Sequence, residues 1–228
     1  MNRFTPRLDL RGLYDRFDAP TTEIDCGERC APHHPENKPF CCDICQAVPA
    51  AYHQEWDYLR KNTDLWHKWR GDECPEDTTD REELRASTPR HMTLLACKGA
   101  AHCQRNFRAL SCRQFPFFPY VTSDYRFIGL AYEWFFEPVC WVISNLGSVS
   151  ADFRREFVQT YDELFAVWQA EFDSYAALSE EMREHFAGRK RRIPILHRNG
   201  GYYLVSPARE SMRKVRPEAF QKFGVYRG

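Results

Sequence analysis

Residues 113–134, RQFPFFPYVTSDYRFIGLAYEW, read as two aromatic-rich strands joined by the polar loop Thr122-Ser123-Asp124. A hairpin holds its outer ends together, so this one would carry Cys112, just before it, toward Cys140, just after it. Upstream lie eight more cysteines, in a chain of 228 residues that has ten. Their spacing is Cys26-GER-Cys30, then Cys41-Cys42-DI-Cys45, then Cys97-KGAAH-Cys103. Short-range pairs such as Cys42 and Cys45 let one turn of backbone present two sulfurs to one ion, and distant pairs then complete the shell. Cys74, followed by proline and flanked by acids, belongs to neither group and is expected as a free thiol.

Residues 26–45 combine five cysteines with three prolines and His33-His34, a composition that suits a loop folded around an ion. Before them, Phe4, Leu8, Leu10, Leu13, Tyr14 and Phe17 could dock an arm or short helix on the body. After them, Tyr52, Trp56, Leu59, Leu65 and Trp69 recur at mostly three- and four-residue spacings, which predicts a helix over about 50–69. Residues 71–91 are polar and read as a surface excursion with a short helix near Arg81 to Ala86. The strongest helical pattern runs from about Ser150 to Phe186, with Gly188 placed as a C-cap. Its aromatic stripe is assigned to packing. Ile193–His197 and Tyr202–Val205 flank Asn199-Gly200-Gly201, a turn composition that predicts a second hairpin, and a basic, partly helical tail follows.

The expected fold class is therefore α+β. Residues 1–147 would form an irregular cysteine-rich metal-binding core with the aromatic β-hairpin. Residues 148–228 would add a long C-terminal helix and a small second hairpin packed on that core.

Composition narrows the function. With 43% hydrophobic and 15% aromatic residues the chain can build a core without disulfides. The N-terminus lacks the apolar run of a secretory signal, and no apolar stretch approaches the about 20 residues of a membrane helix. A soluble, cytoplasmic protein is expected, and in that compartment clustered thiols serve metals or catalysis more often than disulfides. The 32 basic and 32 acidic side chains balance, so no global charge draws the chain to nucleic acid or membrane. The run Arg189-Lys190-Arg191-Arg192 is read as complementing a helix C-terminus. A protein partner is expected; nucleic acid and membrane are not. The glycine-rich nucleotide loops, the HExxH zinc-protease motif and the GxSxG serine motif are all missing.

Four late cysteines, Cys97, Cys103, Cys112 and Cys140, suffice for one four-thiolate site. The early five, Cys26, Cys30, Cys41, Cys42 and Cys45, can build a second or share in the first. Zinc takes four such ligands in a closed tetrahedron, and a 4Fe-4S cubane takes one thiolate on each iron. His33, His34, His91 and His102 lie near these cysteines in sequence and are further candidate ligands.

The stretch Cys97-KGAAH-Cys103-QRNFRALS-Cys112-RQFPF resembles the YkgJ-like cysteine-cluster family of zinc- or iron-chelating domains, which includes the flagellin lysine N-methylase group. It is similar to that family's two cysteines followed by a cysteine–arginine–x–phenylalanine–proline signature, with Cys140 filling the place of a further downstream cysteine. The chain departs from the pattern in spreading the compact early CxxCxxCC group into CGERC and FCCDIC, and in having Arg108-Ala109 where arginine–proline is usual. The resemblance spans roughly residues 26–140. It implies that Arg113, Phe115 and Pro116 serve the centre, Arg113 by donating to thiolate or carbonyl groups and the other two by walling it from water. Three functions are open at this point. One is an iron–sulfur protein in electron transfer, redox sensing or assistance to a modifying enzyme. Another is a zinc-stapled interaction module. Protein lysine methylation is implied only by the resemblance.

Overall fold

The computed structural model describes residues 8–74 and 81–227; Phe4 lies outside them. It is a mixed α+β chain that divides into two compact units. One combines the segment through Asp18 with Gly27–Phe115, and the other combines Ala19–Cys26 with Pro116–Gly228. The boundary expected near residue 147 thus falls at 115/116, because the aromatic hairpin pairs with C-terminal strands.

In the first unit, helix α1 (Leu10–Arg16) begins at Asp9, whose carboxylate accepts from the Gly12 N–H at 3.0 Å. Its Leu10, Leu13 and Tyr14 are buried, as are Leu8 and Phe17. The cysteine loop that follows has only short turns, including helix α2 (Cys26–Cys30) and 3₁₀ turns at Ala31–His33 and Phe40–Cys42.

The single helix expected over 50–69 is instead strand β1 (Ala50–Tyr52), helix α3 (His53–Asn62) and strand β2 (Trp66–Lys68). The three- and four-residue spacing holds through Leu59, and then the chain turns extended at Thr63. Helix α4 (Arg81–Ser87) occupies the place predicted for it. Strand β3 (Met92–Cys97), to which the sequence reading gave no element, is the centre of an antiparallel sheet ordered β1-β3-β2. Its register sets Ala50 opposite Leu94 and Trp66 opposite Cys97. Helix α5 (Leu110–Gln114) ends the unit.

In the second unit, β4 (Phe117–Val121) and β5 (Phe127–Tyr132) form the predicted aromatic hairpin, with every strand residue buried. Ser150 caps helix α6 (Ala151–Val167) by accepting from the Phe153 N–H. Helix α7 (Gln169–Gly188) follows at once, so the one long helix predicted here is two. Trp168 between them is extended, at φ −127°, ψ 96°. In a straight helix Tyr161 and Tyr175 would be roughly 21 Å apart. Their rings instead meet at 5.3 Å, and those of Phe165 and Phe172 at 4.9 Å, because α7 folds back on α6. The aromatic stripe is one half of a helical hairpin packing on the other.

Strands β6 (Ile193–His197) and β7 (Tyr202–Val205) make the second hairpin, with Gly200 and Gly201 at positive φ. Residues Met212–Val215, within the tail read from sequence as basic and partly helical, are strand β8. All five strands join in one antiparallel sheet ordered β4-β5-β6-β7-β8. Gly129 permits the β5–β6 pairing: at φ 153°, a Cβ there would lie 2.3 Å from the Leu196 carbonyl oxygen. Among the described residues, no helix is long and apolar enough to cross a membrane.

Candidate metal centre

Among the nine cysteines expected as ligands, Cys97 in the first unit feels the charge of Cys42 and Cys103, and Cys112 feels that of Cys97 and Cys42. Cys42 closes the Phe40–Cys42 turn, Cys97 ends β3, Cys103 follows the turn Ala100–His102, and Cys112 lies within α5. Burial pushes the Cys97 thiol pKa up, and Cys42 and Cys103 push it further, against the Gly99 N–H that donates to its sulfur at 3.4 Å. Cys112 is raised more strongly, again chiefly by burial, then by Cys97 and Cys42.

Arg108 is the cation of this group. Its Nε–H donates to Cys103 Sγ at 3.1 Å. Burial works against its charge, but that hydrogen bond and the sulfurs of Cys103, Cys42 and Cys112 outweigh it and raise its pKa. The sequence reading registered Arg108 only as half of a departure from a family pattern. A contact across the Gln104–Phe107 turn has no signal in local sequence.

The arginine singled out instead, Arg113, binds carbonyl groups. Its guanidinium donates to the backbone oxygens of Tyr14, Phe17, Arg105, Asn106 and Arg108, and to the Asp18 carboxylate at 3.3 Å. It also lies 4.3 Å over the Tyr14 ring. Buried at 9% exposure, it is a clamp that holds the loop carrying Arg108 against α1 and α5. Phe115 is half-buried at the end of α5, and Pro116 is buried at the start of the second unit, where its carbonyl accepts from Glu133 N–H.

A second buried anchor is Glu55. Its carboxylate accepts from Tyr14 O–H at 2.5 Å, Leu110 N–H at 2.6 Å and Tyr52 N–H at 3.2 Å. Through Leu110 it fixes the first turn of α5 and hence Cys112; burial raises its own pKa. From the other side, Trp66 Nε1–H donates to the Phe107 carbonyl at 2.8 Å, so β2 also holds the Cys103–Arg108 loop.

The remaining predicted ligands fare differently. Cys45 is in a disulfide with Cys74, which corrects both the placement of Cys45 among the ligands and the expectation of a free thiol at Cys74. Nothing in the local sequence of either cysteine announced the partner, 29 residues away. Cys30 is buried in α2, and Cys41 is half-buried beside Cys42. Cys26 and Cys140 belong to the second unit, where the Cys140 N–H donates to the Phe136 carbonyl at 2.8 Å. His34 has both ring nitrogens engaged, Nε2 with Asp43 at 2.9 Å and Nδ1 with the Glu36 N–H. Asp43 in turn accepts from the Cys45 N–H, which with His34 and Lys38 lowers its pKa despite burial and braces the Cys42 turn. His91 stacks on Tyr52, and His33 and His102 are exposed.

Among the described residues, no three His, Cys, Asp or Glu side chains stand at the spacing of a single ion's shell. By number and chemistry the four thiols fit a metal centre. They come from four separate segments, two of their sulfurs already accept N–H donors, and an arginine offsets part of the charge that four thiolates would carry. No protein-family model, curated protein or solved structure matches the chain.

Proposed function

We propose that the first unit is a metal-binding cysteine cluster in which Cys42, Cys97, Cys103 and Cys112 hold an iron–sulfur centre of the 4Fe-4S type, serving electron transfer or redox sensing. The observation that carries this reading is Arg108, which donates to Cys103 Sγ at 3.1 Å and whose charge is also favoured by the sulfurs of Cys42 and Cys112. When bound, such a centre supplies one-electron chemistry whose potential is set by net charge, hydrogen bonds to sulfur and solvent exposure. This chain's residues address each of those. Arg108 contributes a positive charge and a donor to Cys103, Gly99 contributes a donor to Cys97, and Cys103 is the exposed member of the four. Arg113 and Glu55 keep the loop and α5 in position.

A zinc staple is the second reading. It is favoured by the origin of the four thiols in four segments of a unit whose strands are only three to six residues long, which a closed tetrahedral ion would cross-link. Metal and acid-labile sulfide analysis of protein purified without oxygen separates the two. Iron with matching sulfide supports the cluster, zinc without sulfide supports the staple, and neither metal in folded protein contradicts both.

A further inference from the structure

The five-stranded sheet treats its two edges in opposite ways. At β4, every residue is buried and α7 bonds to the last of them: Val121 N–H donates to Ser179 Oγ at 2.9 Å, and Arg183 donates to the Val121 carbonyl at 3.0 Å. At β8, Met212, Arg213 and Lys214 are exposed, and Arg209 and Arg216 flank them in the open. Among the described residues, none of these four cations is held in an ion pair. They belong to a wider asymmetry. Residues 189–228 hold eleven of the chain's 32 basic side chains and two of its 32 acidic ones. One of the two, Glu210, is engaged by Arg183 and by Ser123 N–H.

We infer that the outer edge of β8 is a docking site for an extended acidic segment of a partner protein, which adds to the sheet as a sixth strand. An unpaired edge offers backbone donors and acceptors to any passing strand, and proteins restrict that offer with charge. Here Arg213 points to one face while Lys214 and Arg216 point to the other, by the alternation of a strand. A second copy of β8 would set like charges against like, so self-pairing is disfavoured. A strand carrying carboxylates on both faces meets complementary charge along its length. A single-stranded nucleic acid fits the surface less well, because the aromatic rings nearby are already used. Arg154 lies 5.1 Å over Tyr202, which also meets Phe220 edge-on at 5.8 Å, and Tyr203 packs on His197 at 5.0 Å. Base stacking needs open ring faces.

The test uses the full chain and fluorescence anisotropy with three labelled probes. These are an extended peptide alternating Glu with Thr, the same peptide with its backbone amides N-methylated, and an oligothymidylate of equal charge. The unmodified peptide should bind best. N-methylation, which keeps the charge but removes the ladder donors, should weaken it about tenfold or more. The variant Arg213→Ser/Lys214→Ser/Arg216→Ser should lose a comparable factor while its melting temperature stays unchanged. Failure of the peptide to bind, indifference to N-methylation, or tighter binding of the oligonucleotide would each overturn the inference. The two peptide probes decide it on the unaltered protein even if the variant does not fold. None of these outcomes depends on the metal centre.

Discussion

Arg108 and Arg113 sit five residues apart and do different work, and the difference follows from what each side chain meets. Arg108 meets sulfur, so replacing it with Gln removes a positive charge and a hydrogen bond from Cys103. Loss of such a supporting contact should weaken metal retention by about 10- to 100-fold in a chelator competition, with Arg108→Lys recovering part of it. Arg113 meets carbonyl oxygens, a role its position directly after Cys112 did not distinguish from binding thiolate. Glu133, in the second unit, carries a pH dependence. Burial, then the charge of Glu181, pushes its carboxyl up to about 7 from an ordinary 4.5. The folded state therefore holds this proton more tightly than the unfolded chain. No difference exists below about pH 4.5, and stability is lost as pH rises from there through about 7. Glu133→Gln should match the parent at pH 4 and exceed it by about 3 kcal/mol at pH 8 in urea melts. An equal gain at both pH values would remove Glu133 as the cause.

Elements were legible where the signal is local. The hairpin β4–β5 could be read because two aromatic runs flank Thr122-Ser123-Asp124, and β6–β7 because Asn199-Gly200-Gly201 supplies residues that accept positive φ. Elements that depend on distant partners could not. Strand β3 carries the plain apolar run Leu94-Leu95-Ala96 and becomes a strand by pairing with β1 on one side and β2 on the other. The break at Trp168 leaves the helical spacing of Phe165 and Phe172 intact, and only the contact between those rings reveals the fold-back. Strand β8 exists by pairing with β7. The cysteine groups raised the expectation of a metal site, yet which thiols act on one another depends on where β3, α5 and two loops place them. The seal between α7 and β4 is testable at this scale. Ser179 is fully buried, accepts from the Val121 N–H and donates to the Tyr175 carbonyl. Ser179→Ala leaves a buried N–H without its acceptor and should cost about 1–3 kcal/mol, read from the urea midpoint.

Across the whole molecule, the two units differ in what stabilises them. The second has a five-stranded sheet whose strands β4 and β5 are fully buried under paired helices, with Phe153, Phe157, Tyr161 and Phe186 all at 0% exposure. The first has short strands, turns and the cysteine loops, and it relies on the Arg113 and Glu55 anchors, the Cys45–Cys74 bridge and, on this account, metal. Chelating the metal should therefore raise hydrogen exchange at residues 40–45 and 97–112 and leave β4, β5 and α6 protected. Equal loosening of both units would contradict that division.

The central claim is that four particular cysteines hold iron. Its most direct test is iron and sulfide content, measured without oxygen, in single alanine variants at Cys42, Cys97, Cys103 and Cys112, against variants at Cys45 and Cys74. The account predicts that each of the first four loses most of its iron and sulfide together, while Cys45→Ala and Cys74→Ala keep theirs. Iron retained when all four are replaced, or lost with Cys45 and Cys74 instead, would contradict it.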